Sequence, residues 1–427
     1  MKDQRPSTVF RDKEAIFLGN RTKIAKHTVY NKKRNFRFYI YELPLNLNEN
    51  LTKCNYHQPF MCTDFNDNGM GLEMFKTGEN GGLSIRNSSQ FSLEVIIHNK
   101  LKTNRLRTWN PDEADVFYIP AYFALLFLCN DNETEAMMKE TSTLRKLLSE
   151  SSYFARGKLH ISTLSFLYLW MRPDLFLTNK IIRSITFITL ESLHPKYGKP
   201  IPSEIVSPYP SYGHFLPSRE RVLVTIPISS RNISILLPVG KRYICKDREV
   251  LKQQFDTNTD LPYNKFMEKK RNQTFKRILF YTNECSHNST RDIVPWMQNS
   301  VFCLHPTGAT ETRKSFYDSM LCGCIPVIMT HYGNPYPFKQ YIEYDKFSIH
   351  IPFTQFVSNN ISIYDILNKI PMSKVDNLQL NLRRLTQYMQ YSIPDGKTTD
   401  ENDAIRMIFM ELSDRFKLPY DKKSIPI

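Results

Sequence analysis

The chain has 427 residues, with 57 Lys and Arg against 42 Asp and Glu and a formal net charge of +15. Its 41% hydrophobic and 13% aromatic content suits large cores and excludes a wholly disordered or collagen-like chain. At roughly 100–200 residues per domain, the length suggests two or three domains.

The charge is uneven. Residues 1–37 hold eleven basic and three acidic side chains, +8 of the total, with little apolar periodicity. Residues 1–35 therefore read as a solvated basic stem or tail. An arm that touches a membrane or polyanion is the other use of such a segment. Nucleic acid is not an expected partner, because the remainder carries no recognition motif.

Residues 36–41, Phe-Arg-Phe-Tyr-Ile-Tyr, are aromatic and β-branched and stop before Pro44, which predicts a strand. Residues 46–88 are rich in Asn, Gly and Thr and read as surface loop. Apolar positions 93, 96, 97 and 101 share a helical face within 91–106. Residues 109–115 predict a turn and short helix, followed by a strand over 116–120. An amphipathic helix over 135–149 and apolar segments over 159–190 continue an α/β rhythm. Six prolines between 195 and 217 mark a linker, and a domain boundary is placed near 218. Strands are expected at 221–226, 276–281, 301–304 and 325–329, with a helix near 312–321. Helices over 375–391 and 401–416 close the chain.

The longest nearly apolar run, 116–129, contains Pro120 and falls short of the roughly 20 residues a spanning helix needs. No secretory signal pattern opens the chain. Eight Asn-x-Ser/Thr sequons (Asn20, Asn50, Asn87, Asn132, Asn232, Asn272, Asn288, Asn360) are candidate glycosylation sites. The 8 Cys, an even number, are compatible with disulfides in an oxidising lumen, and their connectivity stays open. Their spacing does not suit a structural zinc site, and no metal is expected.

The densest chemical signal is His305-Pro306-Thr307-Gly308-Ala309-Thr310-Glu311-Thr312-Arg313-Lys314-Ser315. A loop between a strand and a helix exposes backbone N–H groups at the helix N-terminus, where phosphate is favoured. Gly308 allows close approach, Thr310 and Thr312 offer hydroxyls, and Arg313 or Lys314 can neutralise a diphosphate. Asp318, five residues beyond Arg313, is placed to accept hydrogen bonds from ribose hydroxyls. An ordinary capped helix with surface basic residues has the same spacing, and the loop is neither a Walker A nor a GxGxxG fingerprint.

Asn299-Ser300-Val301-Phe302-Cys303-Leu304-His305-Pro306-Thr307-Gly308, followed by Tyr317-Asp318-Ser319-Met320-Leu321-Cys322-Gly323-Cys324-Ile325-Pro326-Val327-Ile328, resembles the exostosin-like glycosyltransferases of family 47. Residues 36–44 are similar to the family's opening strand, and Asn110-Pro111-Asp112-Glu113-Ala114-Asp115-Val116-Phe117-Tyr118-Ile119-Pro120 to its P-x-E-A-D motif. Tyr344-Asp345-Lys346-Phe347-Ser348 and Asn381-Leu382-Arg383-Arg384 match motifs downstream of the donor loop.

The resemblance implies an α/β fold of GT-B type, two Rossmann-like domains facing each other across a cleft. The acceptor-side domain is placed at 36–217, the nucleotide-sugar donor domain at 218–395, and a tail at 396–427 packing back on the first. It implies an inverting transfer of a hexose or pentose from a UDP- or GDP-linked sugar to a polysaccharide or glycoprotein glycan, without a further cofactor. It also implies a type II membrane protein of the Golgi or endoplasmic reticulum lumen, although no anchor is visible. The donor diphosphate is expected against Gly308, Thr310 and Arg313, with Lys314 or Ser315 assisting and Asp318 on the ribose.

Three departures stand out. The Arg that the family places in the donor helix falls on Ser315, its second Cys is His305, and residues 157–160 keep only part of a mid-domain motif. For the general base that an inverting displacement needs, the candidates are His160 and His214. Asp112, Glu113 and Asp115 read as cap and turn, and Cys322 and Cys324 as packing or disulfide partners. The alternative function is a non-catalytic subunit of the same fold that binds glycan or stabilises a partner glycosyltransferase.

Overall fold

The computed structural model describes residues 35–54, 64–77, 82–129, 134–165, 180–192, 203–215, 223–240, 248, 250–251, 266–270, 273–282, 287–308, 311–330, 336–353, 362–393 and 402–422. The basic segment 1–34, the boundary near 218, Thr310, and sequons Asn20, Asn132, Asn272 and Asn360 lie outside them.

The apolar runs form the centres of two parallel sheets. The strands in chain order are β1 (Phe38–Ile40), β2 (Glu73–Thr77), β3 (Leu83–Arg86), β4 (Val116–Ile119), β5 (Leu159–Leu164), β6 (Thr186–Thr189) and β7 (Glu204–Val206). They continue with β8 (Gly213–Phe215), β9 (Ile233–Gly240), β10 (Phe266–Lys270), β11 (Gln273–Thr282), β12 (Ser300–Pro306), β13 (Ile325–Met329) and β14 (Ile349–His350). The first sheet runs β1-β4-β5-β6-β7, parallel throughout. The second runs β10-β11-β9-β12-β13-β14, with only the edge strand β10 antiparallel. All of β4 and β13 is buried, as strands covered on both faces require. A small antiparallel sheet, β2-β3-β8, completes the set.

Three readings need correction. Residues 46–88 are not all loop: they contain β2 and β3, whose short alternation is masked by surrounding Asn and Gly. The proline-rich 195–217 stretch supplies β7 and β8, which are sheet-edge strands that spare their prolines. Described residues 223–227 form no strand; the second sheet starts at Ile233 instead.

The last helix, Ala404–Phe416, returns to the first sheet. Its Phe409 ring lies 5.3 Å from Phe36 and 5.7 Å from Phe38. Asp403 caps it through Ile405 N–H at 2.9 Å and pairs with buried Lys100 at 2.9 Å. Glu94, buried at the start of the Leu93–Lys102 helix, accepts the N–H of Ala124 at 2.9 Å, and burial pushes its pKa up to about 8. Disulfides join Cys54 to Cys129 and Cys303 to Cys324, while the Cys322 thiol is free and buried. Among the described residues no helix is long and apolar enough to cross a membrane.

Candidate donor site

The second sheet is built outward in both directions from β9. The chain passes from β9 to β11 on one side, then to β12 on the other. Such a switch opens a crevice at the carboxyl ends of the two central strands, where open α/β sheets bind ligands. Thr307 and Gly308 leave β12 at this crevice, and the Lys314–Leu321 helix begins beyond it.

Two arginines converge there. Arg313 donates through Nη2 to the Pro238 carbonyl of β9 at 2.8 Å. Buried Arg248, which follows β9, reaches the Thr307 carbonyl through Nε at 3.5 Å. Arg313 occupies the N-cap position without a side-chain cap; its carbonyl takes the Phe316 N–H at 3.1 Å, while the Lys314 and Ser315 N–H groups open the helix. Both guanidiniums and a helix N-terminus thus share one crevice, an arrangement suited to a diphosphate. Among the described residues no group of three or more His, Cys, Asp or Glu is arranged to hold a metal ion.

The Exostosin GT47 domain matches residues 32–367. The chain belongs to the exostosin GT47 family. It is similar to the probable xyloglucan galactosyltransferases GT20 and GT17 of Arabidopsis thaliana, 25% identical to each over 391 residues and 87% of this chain. Those alignments cover 65% of GT20 and 81% of GT17. Xyloglucan galactosyltransferase MUR3 of the same plant is 33% identical over 153 residues, 34% of this chain and 24% of MUR3.

In this GT47 chain the sequence departures at 305 and 315 are one feature. The buried His305 ring, in place of the family's second Cys, lies 3.4 Å from Ser315 Oγ and 3.0 Å from Ser319 Oγ. Burial holds its pKa well below the ordinary histidine value. The cysteine before it pairs with Cys324 across β12 and β13, so the disulfide does not need residue 305.

The helix's other polar residues turn toward the first half of the chain. Asp318, 4% exposed, accepts the Tyr212 N–H at 2.8 Å and Lys314 Nζ at 3.0 Å. Lys314 Nζ also sits 3.0 Å from the centroid of the Tyr212 ring. Burial lowers the Lys314 pKa to about 8 and raises that of Asp318, despite their mutual attraction. This pair fastens the helix to the segment leading into β8.

The two candidate histidines are engaged in packing. His160 stands at the amino end of β5, with Nδ1 2.7 Å from the Lys158 carbonyl and Nε2 2.8 Å from the Tyr41 hydroxyl. His214 is a fully buried residue of β8 rather than of a linker. Its Nδ1 faces the Tyr391 carbonyl at 2.6 Å and its Nε2 faces Ser88 Oγ at 2.7 Å. Burial pushes the His214 pKa down to about 3 and lowers that of His160. Both ring nitrogens of each histidine are engaged by these partners.

The acidic cluster is a cap and turn: Asn110 caps the Pro111–Glu113 turn, and Asp115 accepts the Arg37 N–H at 2.8 Å. Among the sequons, Asn50 and Asn232 are exposed, Asn87 is half-buried, and Asn288 lies in the His287–Gln298 helix.

Two residues escaped the sequence reading. Arg248 lies in no motif, and its approach to Thr307 depends on the switch in strand order. Glu191 follows the apolar run of β6, and a carboxylate just past the carboxyl end of such a strand is a signal that was there to use.

Proposed function

We propose that this chain is an inverting glycosyltransferase of GT-B type that moves a sugar from a nucleotide diphosphate sugar onto a polysaccharide acceptor. Support comes foremost from the convergence of Arg248, Arg313 and the start of the Lys314–Leu321 helix on the crevice between β9 and β12. Negative charge grows on the diphosphate as the bond to the sugar breaks, and fixed cations and backbone dipoles there lower the barrier. Gly308 gives the chain room to approach the phosphates.

In this reading Asp318 and Lys314 support the helix from beneath, and Ser315 serves through His305. The first sheet supplies the acceptor side, within 36–217, and the second the donor side, within 218–395. No role in proton transfer is assigned to His160 or His214. The relatives' names make galactose the first sugar to try and a xyloglucan-like glucan the first acceptor. Exposed Asn50 and Asn232, together with two disulfides, suit a secretory lumen.

The test is transfer of galactose from UDP-galactose to xyloglucan oligosaccharides by the glycosylated protein, with other UDP- and GDP-sugars in parallel. Transfer by the wild type that is lost in Arg248→Ala and Arg313→Ala supports the reading. Tight glycan binding with no donor binding would favour the non-catalytic subunit.

A further inference from the structure

Glu191 stands two residues beyond β6, at the carboxyl end of the first sheet, and is 8% exposed. Its Oε1 accepts the Tyr209 hydroxyl at 2.5 Å and Thr312 Oγ1 at 2.5 Å. Thr312 belongs to the second half of the chain, immediately before Arg313, and is 3% exposed. The Tyr209 ring stacks on Tyr317 of the helix at 5.5 Å, so a phenol braces the carboxylate from the same side.

Burying a carboxylate on hydroxyl partners is an expensive way to fill space, because an ionised group loses far more hydration than an apolar one. The geometry gives that charge a specific object. We infer that Glu191 is a positioning residue that seats the donor loop: by holding Thr312 it fixes where Arg313 and the first helical N–H groups meet the diphosphate. The inference rests on the proposed donor site but concerns a contact made by the opposite sheet. It makes the donor pocket dependent on the acceptor-side half of the protein.

A glutamine at 191 keeps an oxygen that can accept both hydroxyls, whereas alanine removes it. Loss of a hydrogen bond to a charged group is worth roughly tenfold in affinity. Glu191→Ala and Thr312→Val should each weaken UDP binding by about tenfold, with Glu191→Gln within about threefold of wild type. Because they remove one contact, the double variant Glu191→Ala/Thr312→Val should be no weaker than the worse single. In turnover, the donor KM should rise more than kcat falls.

Hydrogen exchange over residues 311–317 gives a readout that needs no donor: protection there should fall in both single variants. Wild-type UDP affinity and unchanged exchange in folded Glu191→Ala would overturn the inference. If that variant does not fold, the same result in Thr312→Val, which changes little volume, overturns it. A Glu191→Gln protein that binds UDP normally but loses more than a hundredfold in kcat would also overturn it, in favour of proton transfer by the carboxylate. Failure of the wild type to bind any nucleotide sugar would instead count against the proposed donor site, and the exchange data would still decide the role of Glu191.

Discussion

The Asp318 carboxylate accepts the Tyr212 backbone N–H at 2.8 Å, tying the Lys314–Leu321 helix to the segment that leads into β8 of the small antiparallel sheet. Lys314 completes the contact from one helical turn back. Removing the carboxylate strands a backbone donor and an ammonium that burial already disfavours. Asp318→Ala should therefore lose about 2–4 kcal/mol of stability, read from urea denaturation. A loss below about 0.5 kcal/mol would mean that the joint carries no load.

The Cys303–Cys324 disulfide closes a loop with a sequence separation of 21 around the Lys314–Leu321 helix. The loop-entropy relation puts its contribution at about 3 kcal/mol. Cys303→Ser/Cys324→Ser should show a loss of that order in denaturant. The buried Cys322 thiol, whose pKa burial raises far above its ordinary value, should stay unreactive toward alkylating reagents until the protein unfolds.

Gly323 ends the Lys314–Leu321 helix with a left-handed φ of +66°. The Gly323 N–H bonds the Met320 carbonyl and the Cys324 N–H the Ser319 carbonyl, the paired closure that favours glycine here. A Cβ at this position would also overlap Thr225 and press on Arg231. Gly323→Ala should destabilise by more than about 1 kcal/mol, the cost of the backbone conformation alone. Thermal denaturation measures it, and an unchanged midpoint would contradict the packing described.

Acidification should act through His214. Its folded pKa is near 3 against an ordinary 6.5, so between those values the unfolded chain binds a proton that the folded one refuses. The stability this ring contributes is present above pH 6.5 and is lost as pH falls through that window. Relative to His214→Gln, the wild type should lose up to about 1.4 kcal/mol per pH unit below 6.5. A constant gap between the two proteins from pH 7 to 5 would show that the ring is not held neutral.

The sheets were legible where a strand is buried on both faces. The runs containing β4, β12 and β13 stand out as unbroken apolar segments, and the loop proposed to hold the donor follows directly from the motif attached to β12. The short strands were not legible: β2, β3, β7 and β8 sit among Asn, Gly or Pro and are specified by their partners more than by local pattern. Within the site, the residues next to the motif could be named in advance. Arg248 could not, because its meeting with Thr307 is created by strand order; Glu191 carried the signal of a carboxylate at a strand's carboxyl end, but its meeting with Thr312 joins two distant parts of the chain. The surroundings of His214 were hidden for a related reason: spacing does not show that it is enclosed by Ser88 and Tyr391, residues far from it in the chain.

The most direct test of the donor site is isothermal titration of UDP and UDP-galactose into wild-type protein, Arg248→Ala and Arg313→Ala, at low and high salt. The account predicts binding by the wild type that weakens by at least about tenfold in each variant. Wild-type binding that survives both substitutions unchanged would place the nucleotide elsewhere and contradict the crevice between β9 and β12 as the donor site.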